Sequence, residues 1–298
     1  MRYLGELAAL ITSVTFAINS TLFTTAGRQV GSVVVNRIRL MAAFLFLTLA
    51  HLIFLGSPWP AGEQPGRSIW LAFSRIIGLV LGDAFLFQAF VWVGPRIAML
   101  MMSLAPVIAL VVARVFLREI LAAGQLVGIF LTLSGVIWVI SEGNHIRKAE
   151  NPNYLKGVLF GLGGATGQAL GLVLAKQGMA GSFSPISGNY IRMTTAMVVM
   201  WLITALQGQA RISFRKVIEQ PRALWGIVGG AFSGPFLGVS LSLLALQYAT
   251  VGVASTLMAL PPIFLLPVSY FFFEERFGWG AVAGTVLALC GVAVLFLV

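Results

Sequence analysis

The chain has 298 residues, 59% of them hydrophobic and only 9% charged, with a mean hydropathy of +0.96, a balance that excludes a water-soluble domain and implies lipid as the solvent. Its net charge of +10 would suggest nucleic acid in a soluble protein; here the basic residues punctuate apolar runs and read as interfacial anchors, so no nucleic-acid partner is expected. One cysteine, Cys290, and two distant histidines, His51 and His145, exclude a disulfide framework and leave no basis for a metal site or other cofactor.

A membrane helix needs about 20 mainly apolar residues to cross about 30 Å of hydrocarbon. Ten such runs are present, near 3–26, 33–55, 69–92, 95–117, 120–141, 154–176, 186–206, 222–247, 250–273 and 277–297. They are continuous rather than alternating, so the expected fold is an all-α integral membrane protein of ten helices and not a barrel.

The first run carries Arg2 and Glu6 and no small-residue cleavage site, so it reads as a span and not as a cleaved leader. Thr12, Thr15 and Asn19 fall within about 60° of one another on a helix, with Phe16 beside them. An asparagine amide both donates and accepts, which suits a solute-lining role. A membrane threonine can equally satisfy its own backbone. In the second run Arg39 stands within two turns of the helix start, where snorkelling to the interface is the expectation; a carboxylate clamp is the alternative. A proline-bearing loop, 56–68, follows.

Asp83 is the sharpest candidate. It lies about fourteen residues into the third run, deeper than any other carboxylate. Insertion there costs about 2.5–3.5 kcal/mol, so such a group faces a cavity or a partner. It reads as a substrate- or proton-binding group, or as a structural partner of Arg75 or Arg114. The fourth run offers Ser103 and Met99 ahead of Pro106, whose missing N–H should break the helix and provide a hinge. The fifth holds Gly124-x3-Gly128, a close-packing pattern that reads as internal contact rather than a dimer interface. A polar linker, 142–153, comes next.

The sixth run places Gln168 on a face with Gly161, Gly164 and Gly171. The seventh carries Arg192, again near its start, and is followed by a basic loop, 207–221. The eighth aligns Ser233, Ser240 and Gln247; the ninth offers Ser255 and Met258 near a second hinge proline, Pro262; the tenth repeats the glycine pattern as Gly280-x3-Gly284.

These elements are one unit written twice. A shift of 156 carries Pro106 onto Pro262, Glu119 onto Glu275, Gly128 onto Gly284 and Gly135 onto Gly291. A shift of 153 carries Asn36-Arg37-Ile38-Arg39 onto Asn189-Tyr190-Ile191-Arg192. Residues 1–145 and 146–298 therefore read as two five-helix repeats, and an odd number of spans inverts the second against the first. Inverted repeats mark transporters that rock around a midplane site.

Leu104-Ala105-Pro106 through Leu117-Arg118-Glu119, and Leu260-Pro261-Pro262 through Phe273-Glu274-Glu275, each precede a glycine-rich last helix. In this the chain resembles the EamA-type branch of the drug/metabolite transporter superfamily over residues 3–297. Arg118-Glu119 inverts the order kept in Glu275-Arg276, and Thr15-Phe16-Ala17-Ile18-Asn19 stands where a Trp-Gly-x-Asn pattern is often found. The resemblance implies a plasma-membrane carrier, in a bacterial or archaeal inner membrane, that moves small organic metabolites. Export of amino acids or related compounds is the common case.

No Gly-x4-Gly-Lys-Ser/Thr run is present, so ATP is not expected to drive the chain directly. The expected partners are a small-molecule substrate and the bilayer, with a monomer or a dimer both open. The substrate-binding set is Thr15, Phe16, Asn19, Asp83, Ser103, Gln168, Ser240 and Met258. Asp83 is the candidate for proton coupling, and Pro106 and Pro262 are the hinges. The rivals are a lipid-linked-sugar flippase on the same fold and a membrane-embedded enzyme, the latter disfavoured by so few His and acidic residues. On orientation two arguments collide. Loops on the side of the termini carry four basic residues and the opposite loops nine, which puts the termini outside the cytoplasm; the resemblance implies the reverse.

Overall fold

The first helix, α1 (Leu4–Val30), sorts its residues by solvent. Leu7, Ile11, Val14 and Ile18 recur at helical spacing and are exposed, which gives lipid an apolar stripe. Thr12, Ser13, Thr15 and Ser20 are buried on the inward faces. Polar stripe in and apolar stripe out is the arrangement lipid demands. The protein is described from a computed structural model, over residues 3–57, 65–105, 107–108, 111–112, 123–150, 152–178, 184–248, 257–274 and 278–297.

After α1 come α2 (Ser32–Leu55), α3 (Pro65–Arg75) and, through a π-helical stretch (Ile76–Gly82), α4 (Asp83–Met102). Then follow α5 (Ala123–Glu150), α6 (Tyr154–Gly178), α7 (Pro185–Leu206) and the short α8 (Ala210–Ile218). The helix α9 (Pro221–Ala231) passes through a second π-helical stretch (Phe232–Gly238) into α10 (Val239–Tyr248); α11 (Pro261–Phe272) and α12 (Trp279–Leu297) complete the chain. Every regular element among the described residues is helical. Five helical stretches there, Leu4–Val30, Ser32–Phe54, Ile69–Met102, Ile186–Leu206 and Pro221–Ser242, are each long and apolar enough to cross a membrane. The molecule is an all-α integral membrane protein built as two inverted five-helix repeats.

The third and fourth spans are joined by a reversal, not a loop. Gly94 takes φ 79° and ψ 169° just before Pro95, a backbone that only glycine adopts without strain. Ala89 and Met101 both come within 4 Å of a Cβ built on Gly161. On one straight helix those residues would lie about 18 Å apart, so the chain turns back between them.

The two repeats pack through equivalent surfaces. The second span lies on the seventh, the fifth on the tenth, the first on the eighth and the sixth on the third. Two of these pairs map onto themselves under exchange of the halves; the other two map onto each other. At the α5–α12 seam a Cβ on Gly135 would strike the backbone of Ala288 and Gly284, and one on Gly291 would strike Thr132 and the Gly128 carbonyl. The glycine pattern thus serves contact between the repeats, as the sequence reading held.

The two π-helical stretches also correspond, since a shift of 156 carries Ile76–Gly82 onto Phe232–Gly238. Each presents two glycines to a neighbouring helix. Gly78 and Gly82 face Gly171, Gln168 and Gly167 of α6; Gly234 and Gly238 face Asn19, Thr15 and Phe16 of α1. Two expectations need correcting. The stretch 142–153 is not a loop from its start, because α5 continues through Glu150, over residues such as Lys148, Ala149 and Glu150 that favour helix. The loop 207–221 holds α8, whose Ser213 and Val217 are buried while its basic side chains face out.

Candidate functional site

Asp83 follows directly on the first π-helical stretch, at the crossing of the third and sixth spans. It is buried, and both of its oxygens are engaged. Arg39 Nη2 donates to Oδ2 in an ion pair, and Gln168 Nε2 donates to Oδ1 at 2.6 Å. The same Gln168 amide lies 3.4 Å from the Gly78 carbonyl. Asp83 and Gln168, picked separately from the sequence, share one hydrogen bond.

Arg39 is held from three sides. Its Nε donates to Asn36 Oδ1 at 3.0 Å, and its guanidinium carbon sits 4.6 Å from the Phe87 ring centroid and 5.9 Å from that of Phe23. A guanidinium held over aromatic rings while it also pairs with a carboxylate suits arginine better than lysine. The snorkelling expected of Arg39 and Arg192 does not occur: they are 3% and 7% exposed. Each stands seven residues after its helix start, at Ser32 and Pro185, about 10 Å deep. Because the repeats are inverted, the two helices enter from opposite membrane faces. The arginines therefore converge on the middle, where a carboxylate is a better partner than a distant interface.

A third guanidinium, Arg75, joins them, 3% exposed. Arg75 lies within electrostatic range of Arg192, Asp83 and Arg39, and Arg192 within range of Asp83. Three cations thus surround one buried carboxylate. The Nε atoms of Arg75 and Arg192 have no hydrogen-bond partner among the described residues. A guanidinium in that state is expensive, since insertion at the bilayer centre alone costs about 2.5–3.5 kcal/mol.

The second repeat has a counterpart built of amides. Asn189, equivalent to Asn36, donates from Nδ2 to the Pro235 carbonyl at 3.0 Å and lies 3.4 Å from Ser240 Oγ. Val239 takes the place of Asp83 after the second π-helical stretch. The arginine therefore recurs in both halves, as Arg39 and Arg192, while the carboxylate of the first half has an apolar residue at its place in the second.

The other sequence candidates are distributed around this centre. Asn19 and Phe16 are half-buried against Gly234 and Gly238. Thr15 donates to the Thr12 carbonyl at 2.8 Å, and Ser103 to the Leu100 carbonyl at 2.7 Å, so both satisfy their own helix. Met258 packs with Ala8, Ala9 and Ala245. Pro106 lies outside the described residues, as do Arg114, Ser255 and the Glu119 and Glu275 turns. Helix is interrupted at Ser103–Leu104, and again just before Pro261. Pro262 consequently sits in the first turn of α11, where its missing N–H leaves no bond unmade. Asn36 was not among the sequence candidates, and Arg39, Arg192 and Arg75 entered only as alternatives, the first two as a carboxylate clamp and the third as a structural partner of Asp83. For Asn36, Arg39 and Arg192 the signal was the recurrence of Asn-x2-Arg in both halves.

A depression of about 400 Å³ opens at the α1–α2 turn, lined by residues including Arg37, Gln88, Gln209 and Lys216. It lies at the membrane-surface end, away from Asp83. Arg37 there donates to Ser213 Oγ at 2.9 Å, Gln209 Oε1 at 2.9 Å and Gln207 Oε1 at 3.1 Å, which ties α2 to α8.

Compared with known proteins, the sequence matches the EamA-like transporter family over residues 3–141 and again over 155–297, one unit per repeat. The chain belongs to the EamA-like transporter family. No curated protein matches it. A solved structure described only as "Crystal structure of protein" is similar in fold, with a TM-score of 0.64 at 15% identity, covering 100% of this chain and 98% of that one. Such a likeness speaks for the fold alone. In this EamA-like transporter, the charged cluster draws on the second, third and seventh spans, with Gln168 from the sixth, so both repeats contribute to it.

Proposed function

We propose that the protein is a secondary transporter of small organic metabolites, amino acids or related compounds, that works by alternating access in the plasma membrane with the Asp83–Arg39–Gln168 cluster at its centre. The observation that carries this reading is the meeting of ionisable groups from both repeats inside the bundle. Buried intramembrane charge of this kind marks substrate and ion pathways. The paired glycines of the two π-helical stretches support it further. A backbone-on-backbone crossing between the third and sixth spans, and a glycine face on the eighth span against the Asn19, Thr15 and Phe16 side chains of the first, give the repeats close surfaces along which to rock. Asn19 and Phe16 line the first–eighth crossing and Ser240 lies beside Asn189 of the seventh span, from where they would meet solute from the other half.

The test is counterflow in proteoliposomes, with a panel of labelled amino acids and related metabolites and protein-free vesicles as control. Saturable exchange that is lost in Gln168→Ala and Asn19→Ala is the expected result. Folded protein that exchanges nothing across the panel refutes the reading and transfers weight to a lipid-linked-sugar flippase.

A further inference from the structure

We infer that the transported solute carries two anionic groups, a dicarboxylate or a phosphate monoester, and that it binds by bridging Arg75 and Arg192. The inference rests on the transporter reading and narrows its substrate; among amino acids it leaves the acidic ones. The ground is the charge balance of the cluster. Asp83 is the chain's one aspartate, and its two oxygens are taken by Arg39 and Gln168. Arg39 is satisfied by that pair, by Asn36 and by the Phe87 ring. Arg75 and Arg192 are not satisfied in the same way. Both are more than nine-tenths buried, and each has an Nε with no partner among the described residues. The one carboxylate near either of them among those residues is Asp83, already engaged.

Among the described residues, three guanidiniums against one carboxylate leave two positive charges without a counter-ion. Guanidinium forks match carboxylate and phosphate oxygens in a paired, planar geometry that a neutral solute cannot supply. Arg75 belongs to the third span and Arg192 to the seventh, so an anion between them also joins the first repeat to the second. That is where a substrate must act if binding is to bias the rocking of the halves.

Purified full-length protein in proteoliposomes provides the test. Vesicles are loaded in turn with labelled succinate, glutamate, glycerol 3-phosphate, leucine and ornithine, and homoexchange is measured for each. The dicarboxylate and phosphate arms separate the two sources of the anionic pair. Exchange of at least one of the first three, about tenfold or more above leucine and ornithine, is expected, with a loss of about tenfold or more in Arg75→Gln and Arg192→Gln and partial recovery in Arg192→Lys. Because those variants can misfold, thermal unfolding of the wild type in detergent supplies a second readout, in which the exchanged anion raises the midpoint and leucine does not. Leucine or ornithine exchange that excess succinate, glutamate and glycerol 3-phosphate fail to inhibit overturns the assignment and leaves the carrier standing. No exchange of any solute, together with no stabilisation by any of the three anions, overturns both.

Discussion

Removing the Asp83 carboxylate tests the cluster at its smallest scale. Arg39 would then lose its ion-pair partner while staying buried among Phe87, Phe23 and Asn36. Breaking one side of a buried pair costs about 3–5 kcal/mol, because the remaining charge is left uncompensated. Asp83→Asn should therefore lower the unfolding midpoint in detergent strongly, and Asp83→Leu with Arg39→Met should recover most of the loss. If Asp83 instead couples transport to protons, Asp83→Asn should abolish uptake driven by a pH gradient and spare counterflow. Loss of neither activity removes that role. Gln168→Ala is the milder change. It removes one donor at 2.6 Å from Oδ1 and should abolish exchange with a smaller effect on stability, since a hydrogen bond to a charged group contributes about 1.5–3 kcal/mol.

At the scale of elements, the α5–α12 seam separates internal packing from dimerisation. A side chain at Gly135 has to enter the backbone of Ala288 and Gly284, which cannot retreat as a flexible side chain would. Gly135→Leu should cost at least the upper end of the about 1–3 kcal/mol typical of overpacking and leave the oligomeric state by light scattering unchanged. A variant that lost a dimer but kept its unfolding midpoint would contradict the packing described here. This seam was legible in the sequence, because Gly124-x3-Gly128 recurs as Gly280-x3-Gly284 and small residues at that spacing have one common use. So was the inward face of α1, whose Thr12, Thr15 and Asn19 share a helical period. The π-helical stretches were not legible. An apolar run such as Ile76-Ile77-Gly78-Leu79-Val80-Leu81-Gly82 has the same composition whether its turns hold four residues or five. Arg39 and Arg192 were misjudged for a physical reason as well. Depth along one helix says how far a side chain is from its own membrane face, and nothing of what comes to meet it from the other. Only the inversion of the repeats brings the two together.

The whole molecule inherits the charge of its centre. Among the described residues three guanidiniums face one carboxylate; the dianion inferred above would cancel that positive excess. Rocking the halves moves the access of this site from one side of the membrane to the other, and groups on the third and seventh spans shift within the field as it does. A unit charge crossing the whole field exchanges about 2.3 kcal/mol per 100 mV, so the empty carrier should feel the membrane potential and the loaded one should not. Two consequences follow from that difference. Exchange, in which every crossing is made loaded, should outrun net efflux, which needs an empty return. A potassium-valinomycin clamp should change net efflux of the bound anion severalfold between 0 and about 100 mV while exchange stays constant. Equal rates for the two modes, or exchange that follows the clamp as closely as efflux does, would mean that the positive excess is neutralised by the protein itself and that the solute plays no part in it.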